Sequence, residues 1–414
     1  MGEVMKKFLI ISIVLILISA GVFGYSTYHY IDVTKVDEAT PDEAPTKTLE
    51  TIAETESTVS SGDIDIPDGY NDNGIFSANY EKAYKKVSEM TNEQLVGTLI
   101  MGTCKSNSDS SYDDITKYNL SSYWLSSDCF SNKTEDQIKE MVKKYKERQP
   151  GFIVAVDEEG GQNTTVTDHD AYIQYSFDAI GDLYKDGGLS SVEKMEKDKV
   201  SVLKDAGVSL NLAPVVDLAK EEGQIMYSQS LRADANDTSK YAEDITKMYQ
   251  DGGISACLRH FPGYGTTVRS DDGTVTDERK KSELEKSDFL PFKSGISANC
   301  HFIMVGNYIV KDIDNSHIAS LSTAVNKILK DDLSYTGIII TDNLDNDDYS
   351  QYADGHSQYV EAILAGNDMI IVDNIGGAYD DILNAVNDGT ISKEVIEKAA
   401  MRVIAYKYTA KLMK

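Results

Sequence analysis

Eight short apolar runs between residues 95 and 374 constrain the fold more than any other feature of this chain. They cover residues 95–102, 121–127, 151–157, 208–217, 254–261, 301–310, 336–342 and 368–374. Their nearly continuous apolar and β-branched composition is typical of strands buried on both faces of a parallel sheet. Amphipathic stretches separate them, such as residues 134–148, which open on Thr134 as a helix cap.

Eight strands that alternate with helices predict a (β/α)8 TIM-type barrel, a fold of the α/β class. A doubly wound sheet shows the same alternation and is the alternative. Active sites of such barrels lie at the carboxyl ends of the strands. The ends of the predicted strands carry polar residues: Asp157, Glu158, Glu159, Asp217, Arg259, His260, Asn307 and Asp342. These residues are therefore expected to line one rim.

The N-terminal region is predicted to lie outside the barrel. Lys6 and Lys7 precede an uncharged apolar run, residues 8–24, which is about long enough to cross a bilayer as a helix. We expect residues 1–31 to anchor the chain in the cell membrane, with the barrel extracellular. Signal-peptide cleavage, which would release a secreted protein, is the alternative. Residues 32–73 are predicted to form a disordered acidic linker, and residues 74–414 the barrel.

Charge and cysteine content exclude several other functions. The formal net charge of −28 over 414 residues argues against a nucleic-acid partner, because phosphates would be repelled. The four cysteines lack the spacing of a metal site, and burial as free thiols is their simplest interpretation. If a disulfide forms outside the cell, Cys104 and Cys129 are the better candidates, since both lie just beyond adjacent predicted strands.

Five ordered motifs resemble a known family. They are AVDEEGG (155–161), GVSLNLAPVVD (207–217), RHFPGYG (259–265), IASLS (318–322) and GIIITDNL (337–344). Together they resemble the N-terminal barrel domain of family 3 glycoside hydrolases, particularly the single-domain β-N-acetylglucosaminidases. MTNEQLVGTLIMG (90–102) and AILAGNDMIIV (362–372) extend the resemblance to residues 90–414. It implies a TIM-type barrel and retaining hydrolysis of β-linked N-acetylhexosamines, as in peptidoglycan or chitin fragments.

The resemblance also implies roles for particular residues. Asp342 corresponds to the nucleophile, which attacks the anomeric carbon through an oxocarbenium-like transition state. Positions that contact the sugar hold Asp157, Gln162, Arg259, His260 and Asn307. Simpler roles are a helix N-cap for Asp342 and a buried, hydrogen-bonded histidine for His260. Two protein groups and water suffice for this mechanism, so no metal or organic cofactor is expected.

The chain departs from the family pattern at the general acid. The family's acid/base is a histidine in an Asp-Ser-His triplet, whose positions here hold Ser270, Asp271 and Asp272. Among the sugar-binding positions, Gln162 and Gln229 replace arginines, Asn307 replaces a histidine and Arg259 replaces a lysine.

Several functional hypotheses fit these departures. In the first, the protein is an active hydrolase with Asp272 or Asp271 as general acid, its pKa raised by burial or by the neighbouring carboxylate. In the second, the acid is lost and the protein is a catalytically impaired, membrane-anchored glycan-binding protein. A different reaction or substrate within the same barrel is the third. The two aspartates would otherwise belong to a solvated loop.

Overall fold

The computed structural model describes residues 66–175, 177–269, 275–345 and 349–414. No helix within these ranges is long and apolar enough to cross a membrane. The predicted anchor, most of the predicted linker and the loop residues Ser270, Asp271 and Asp272 lie outside the described residues. Residues Asp63–Lys414 cluster as one compact unit.

Residues 66–73, which composition assigns to the linker, pack on the barrel instead. The Tyr70 hydroxyl donates to the Glu397 carboxylate at 2.7 Å, and Asp72 pairs with Arg402 at 3.2 Å. Both partners lie more than 300 positions away in sequence, so composition gave no sign of these contacts. The boundary between linker and barrel stays a prediction.

The predicted (β/α)8 barrel is confirmed: eight parallel strands close on themselves in the order β1-β2-β3-β4-β5-β7-β10-β11. The barrel strands are β1 (Ile100–Cys104), β2 (Ser122–Leu125), β3 (Ile153–Val156), β4 (Leu210–Asn211), β5 (Ser255–Phe261), β7 (Phe302–Val305), β10 (Ile338–Asn343) and β11 (Met369–Val372). Most of their residues are buried, as the continuous apolar runs predict. A small separate sheet contains β6 (Thr276–Asp277), β8 (Ile309–Val310) and β9 (Asp314–Ile318).

Helices surround the barrel and bury apolar faces against it. They are α1 (Tyr80–Ser88), α2 (Asn92–Leu99), α3 (Asp109–Lys117), α4 (Glu135–Arg148), α5 (Ile180–Asp205), α6 (Ala235–Gly252), α7 (Lys281–Leu284), α8 (Phe289–Ser297), α9 (Thr323–Lys327), α10 (Gln358–Leu364), α11 (Ile375–Asn387) and α12 (Lys393–Thr409). Helix α4 follows the sequence expectation: Thr134 caps it through the Gln137 N–H, and Ile138, Met141 and Tyr145 are buried. Helix α5 is interrupted at Gly188, where φ is 65°.

Two strand predictions need correction. The run at residues 95–102 begins as helix α2, and only its end forms β1. A capping box fixes that helix: Thr91 accepts from the Gln94 N–H, and the Gln94 side chain accepts from the Thr91 N–H. The run at residues 301–310 is divided between β7 and β8. A short apolar run does not by itself distinguish a buried helix from a buried strand.

Candidate active site

The predicted rim residues meet at the carboxyl end of the barrel. Asp157 follows β3, His260 lies near the end of β5, and Asp342 lies near the end of β10. Val305 of β7 is in register with both Phe261 and Thr341. Phe261 and Thr341 therefore lie at the same level of the barrel, and they are the sequence neighbours of His260 and Asp342. Parallel strands bring these side chains to the face where such barrels hold their active sites.

Arg259 is a buried cation shared by two carboxylates. Its side chain is 5% exposed, and Nη2 contacts Oδ1 of Asp157 and Oε1 of Glu159. The Gln229 nitrogen, in the amide orientation that its neighbours require, lies 3.1 Å from Oε2 of Glu159. Asp157 keeps 18% of its side chain exposed and Glu159 only 3%, so Asp157 is the better placed of the two carboxylates to meet a ligand. Arg259 fixes that carboxylate in place.

His260 is oriented by a buried carboxylate on the loop after β4. Its Nδ1 lies 2.9 Å from Oδ2 of Asp217, and the His260 backbone N–H donates to the same oxygen at 3.1 Å. The other oxygen of Asp217 accepts from the Tyr264 N–H at 2.7 Å. This carboxylate favours the imidazole tautomer protonated at Nδ1, which leaves Nε2 for a ligand. His260 is therefore buried and hydrogen-bonded, and it also lies at the rim.

Asp342 is the partly exposed carboxylate at the end of β10. Its Oδ1 accepts from the Asn343 N–H at 2.7 Å, and the Asn343 side chain is held by Asp373 at 2.8 Å. Burial, and then the negative charges of Asp342 and Asp217, raise the pKa of Tyr264 well above its usual value. The ring of Tyr264 packs against His260 with centroids 5.5 Å apart. The charge of Asp342 therefore acts on the same tyrosine that packs against His260.

Two other predicted sugar contacts have different surroundings. Both polar atoms of the Asn307 side chain bind the protein: Nδ2 donates to the Asn343 carbonyl at 2.8 Å, and Oδ1 accepts from the Ser320 hydroxyl at 2.6 Å. Asn307 thus supports the backbone beside Asp342. Gln162 is exposed on the turn after β3. Their roles in ligand binding stay predictions.

Buried polar groups hold the segment that carries Asp157 and Glu159. Lys199 of α5 donates to the Glu159 carbonyl at 2.7 Å and to the Glu196 carboxylate at 2.8 Å. Glu158 accepts from the N–H groups of Thr165 and Val166 and from the Thr167 hydroxyl. Burial nevertheless raises the pKa of Glu158. This network fixes the backbone that carries the side chains of Asp157 and Glu159.

Sequence reasoning placed Glu159 and Asp217 at the rim without a specific role, and the structure gives each of them a partner in the site. Glu159 neutralises Arg259, and Asp217 orients His260. The available signal was their position directly after predicted strands, where acidic residues are candidates for the rim. The sequence pattern could not identify the partner of each carboxylate, because those contacts join separate strands of the barrel.

The general-acid candidates Asp271 and Asp272 lie outside the described residues. The segments on either side of them are well anchored. The Thr267 carbonyl accepts from the Ile225 N–H at 3.1 Å, and β6 pairs with β8 beyond the loop. Arg279 then binds Asp277 and Asp288, each at 2.7 Å. The described residues before this gap thus follow β5 at the rim, and those after it belong to the small sheet.

The described histidines other than His260 occupy varied sites. His301 lies at the opposite, amino-terminal end of β7, where burial lowers its pKa to about 4. His169 is 2.7 Å from the Ser127 hydroxyl. His317 lies 3.0 Å from Asp314 and 3.2 Å from Asp354; burial opposes its protonation, but these carboxylates raise its pKa. His301 is thus on the wrong face to serve as general acid.

Comparison with known proteins places this barrel in a family. Residues 79–406 match the description "Glycosyl hydrolase family 3 N terminal domain". The chain belongs to glycosyl hydrolase family 3. The match spans the barrel from α1 to α12, so the family assignment covers every rim residue described above.

Curated relatives of this family 3 protein are about one quarter identical to it over the aligned residues. A Beta-hexosaminidase of Nitrosomonas eutropha is 26% identical over 243 residues, which cover 58% of this chain and 70% of that protein. A Beta-hexosaminidase of Methylococcus capsulatus is 26% identical over 266 residues, covering 62% of this chain and 77% of the relative.

Solved structures share the barrel fold. A family 3 β-N-acetylglucosaminidase from Paenibacillus superposes with a TM-score of 0.71 at 22% identity, covering 78% of this chain and 63% of that chain. This family 3 protein thus spans less than two thirds of the Paenibacillus enzyme. A β-N-acetylhexosaminidase from Beutenbergia cavernae superposes with a TM-score of 0.65 at 19% identity, covering 77% of this chain and 99% of that one.

Proposed function

We propose that this family 3 protein is a retaining glycoside hydrolase that acts on β-linked N-acetylhexosamines in peptidoglycan or chitin-type fragments. One observation carries the proposal: the partly exposed carboxylate of Asp342 lies at the same barrel end as the Asp157–Arg259 and His260–Asp217 pairs. A carboxylate nucleophile beside oriented polar groups suits a reaction at an anomeric carbon. The choice of a hexosamine as the sugar is supported by the curated relatives, which are named Beta-hexosaminidase.

The proposed reaction divides the chemistry between two carboxyl groups. The Asp342 carboxylate attacks the anomeric carbon while the aglycone oxygen takes a proton from the general acid. Water then hydrolyses the glycosyl–Asp342 ester, and the conjugate base of the acid removes the proton of that water. Asp157 and His260 would hold sugar hydroxyls, and Arg259 would hold Asp157. Proton NMR of the first-formed sugar tests the stereochemistry: retention predicts the β-anomer, and the α-anomer would show an inverting enzyme.

Asp272, with Asp271 beside it, is the proposed general acid. Replacing Asp272 with alanine is expected to lower kcat by about 10²–10⁴-fold on a substrate whose aglycone must be protonated to leave. The loss in kcat/KM should be much smaller for an aryl glycoside with an acidic phenol, because that aglycone leaves without protonation and kcat/KM does not include the later hydrolysis of the glycosyl ester. Asp271→Ala is the matched control in steady-state assays. A larger loss in Asp271→Ala would reverse the two roles, and no loss in either would exclude both residues.

Glycan binding without turnover is the second candidate. It is favoured by the neutral amides at Gln162 and Gln229 and by the occupied side chain of Asn307, which is bound to Ser320 and Asn343. A binder would retain affinity for N-acetylhexosamine oligomers in calorimetry but would not cleave even an activated aryl glycoside. Any turnover that depends on Asp342 contradicts this candidate.

The proposed cellular location rests on the N-terminal sequence. Lys6 and Lys7 before the apolar run at residues 8–24 support a single-pass anchor with the barrel outside the cell membrane. Fractionation should recover the full-length chain with membranes, and protease added to intact cells freed of wall should remove the barrel. Recovery in the medium, shortened near Ala20, would establish a cleaved and secreted form.

A further inference from the structure

Two buried cysteines meet beside the candidate active site. Cys104 is the last residue of β1, and Cys129 ends the 3-10 turn Ser127–Cys129 that follows β2. They are 3% and 0% exposed. Their sulfur atoms are 3.6 Å apart, although the residues are 25 positions apart in sequence. The fold therefore brings together the pair that the sequence favoured, as free thiols.

The backbone around this pair is already held in place. Cys104 is in register with Leu125 of the neighbouring strand, and the Ser126 N–H donates to the Cys104 carbonyl at 3.0 Å. The Cys129 thiol donates to the same carbonyl at 3.0 Å. A disulfide needs its sulfur atoms about 2.0 Å apart. The remaining approach of about 1.6 Å is within reach of small side-chain rotations.

We propose that Cys104 and Cys129 form an intramolecular disulfide when the chain meets a small disulfide oxidant such as oxidised glutathione. The Cys104 thiolate attacks one glutathione sulfur and releases the other glutathione as a thiolate. The Cys129 thiolate then attacks the Cys104 sulfur of the mixed disulfide and releases the second glutathione. Two protein thiols are thus oxidised to one disulfide, while one oxidised glutathione is reduced to two thiols.

The surroundings of the two thiols distinguish their roles. Contact with the Cys129 thiol lowers the pKa of Cys104, although burial opposes this effect. The same contact, together with burial, raises the pKa of Cys129. Cys104 is therefore the more readily ionised sulfur and the natural attacking group. Both groups are buried, so oxidation requires either local opening of the rim or exposure before folding is complete.

The disulfide would join two segments of the active-site rim. Lys105, next to Cys104, pairs with Asp373 at 2.7 Å, and Asp373 holds the Asn343 side chain beside Asp342. On the other segment, the Ser127 hydroxyl forms a hydrogen bond with His169 of the loop after β3. A covalent link between these segments would restrain the rim on which the proposed reaction depends.

The test uses the full-length chain refolded in oxidised or reduced glutathione and then alkylated in denaturant. Peptide mass mapping should find Cys104 joined to Cys129 after oxidation, with Cys257 and Cys300 alkylated. The oxidised protein should melt about 5 °C higher, and dithiothreitol should remove the shift. Cys104→Ser and Cys129→Ser should each abolish it, whereas the matched variant Cys257→Ser should keep it.

Alkylation of all four cysteines after oxidative refolding would overturn the proposal, as would a disulfide between other partners. An unchanged melting temperature in a chain shown to carry the bond would refute the restraint on the rim. These measurements do not depend on glycosidase activity. They can therefore fail or succeed independently of the proposed function.

Discussion

Replacing Asp342 with asparagine should reduce kcat for an aryl N-acetyl-β-glucosaminide by about 10³-fold or more. The amide has nearly the same shape as the carboxylate but lacks the negative charge needed to attack the anomeric carbon. Its oxygen can still accept from the Asn343 N–H, the hydrogen bond that Oδ1 of Asp342 now accepts at 2.7 Å. The melting temperature should therefore change little. Steady-state kinetics between pH 4 and 8, with thermal unfolding measured alongside, separate the two effects.

Asp354→Asn is the matched control for this prediction. Asp354 lies after the same strand, but its side chain is 71% exposed and faces His317. Its replacement should leave turnover within about twofold of the wild type, because exposed substitutions away from the site have small effects. Turnover by Asp342→Asn comparable to that of Asp354→Asn would show that another residue is the nucleophile.

The second large effect is expected at Arg259, where alanine should destabilise the fold by about 3–5 kcal/mol. Its guanidinium is the shared partner of Asp157 and Glu159, and Glu159 is only 3% exposed. Removing the cation leaves two neighbouring carboxylates that are mutually repulsive and partly shielded from water. The melting temperature should fall by about 10 °C, as measured by calorimetry.

The pH dependence identifies the cause of that loss. If repulsion between the unpaired carboxylates destabilises Arg259→Ala, protonation in acid should relieve it. The difference from the wild type should then be largest near neutral pH and shrink as the pH falls toward about 4, where the carboxyl groups become neutral. Arg148→Ala, on the exposed end of α4, should cost about 0.5 kcal/mol or less at every pH. A loss in Arg259→Ala that is constant with pH would indicate lost packing instead.

The barrel could be predicted because its signal is local and repeated. Each apolar run carries the composition of a buried strand, and the strand order β1 to β11 follows from connecting parallel neighbours through helices. Leu95 shows the limit of that signal. It belongs to an apolar run, yet the capping box at Thr91 makes it helical. Two neighbouring residues outside the run decided its structure.

The site was predictable only as a set of positions. Asp157, Arg259, His260 and Asp342 lie at or next to the carboxyl ends of strands, so the barrel topology by itself brings them to one rim. The hydrogen-bond and ion-pair partners of these residues could not be predicted from the sequence. Glu159 beside Arg259 and Asp217 beside His260 depend on side-chain directions across separate strands. The hydrogen bond from Asn307 to the Asn343 carbonyl could not be predicted for the same reason.

The central claim is that Asp342 forms a covalent bond to the sugar. Incubation of the full-length chain with a fluorinated N-acetyl-β-glucosaminide, which slows hydrolysis of the intermediate, tests it by mass spectrometry. The account predicts one glycosyl adduct on the peptide that contains Asp342 and no adduct in Asp342→Asn. A folded chain that binds the sugar but carries no adduct, or carries it on another residue, would contradict the account.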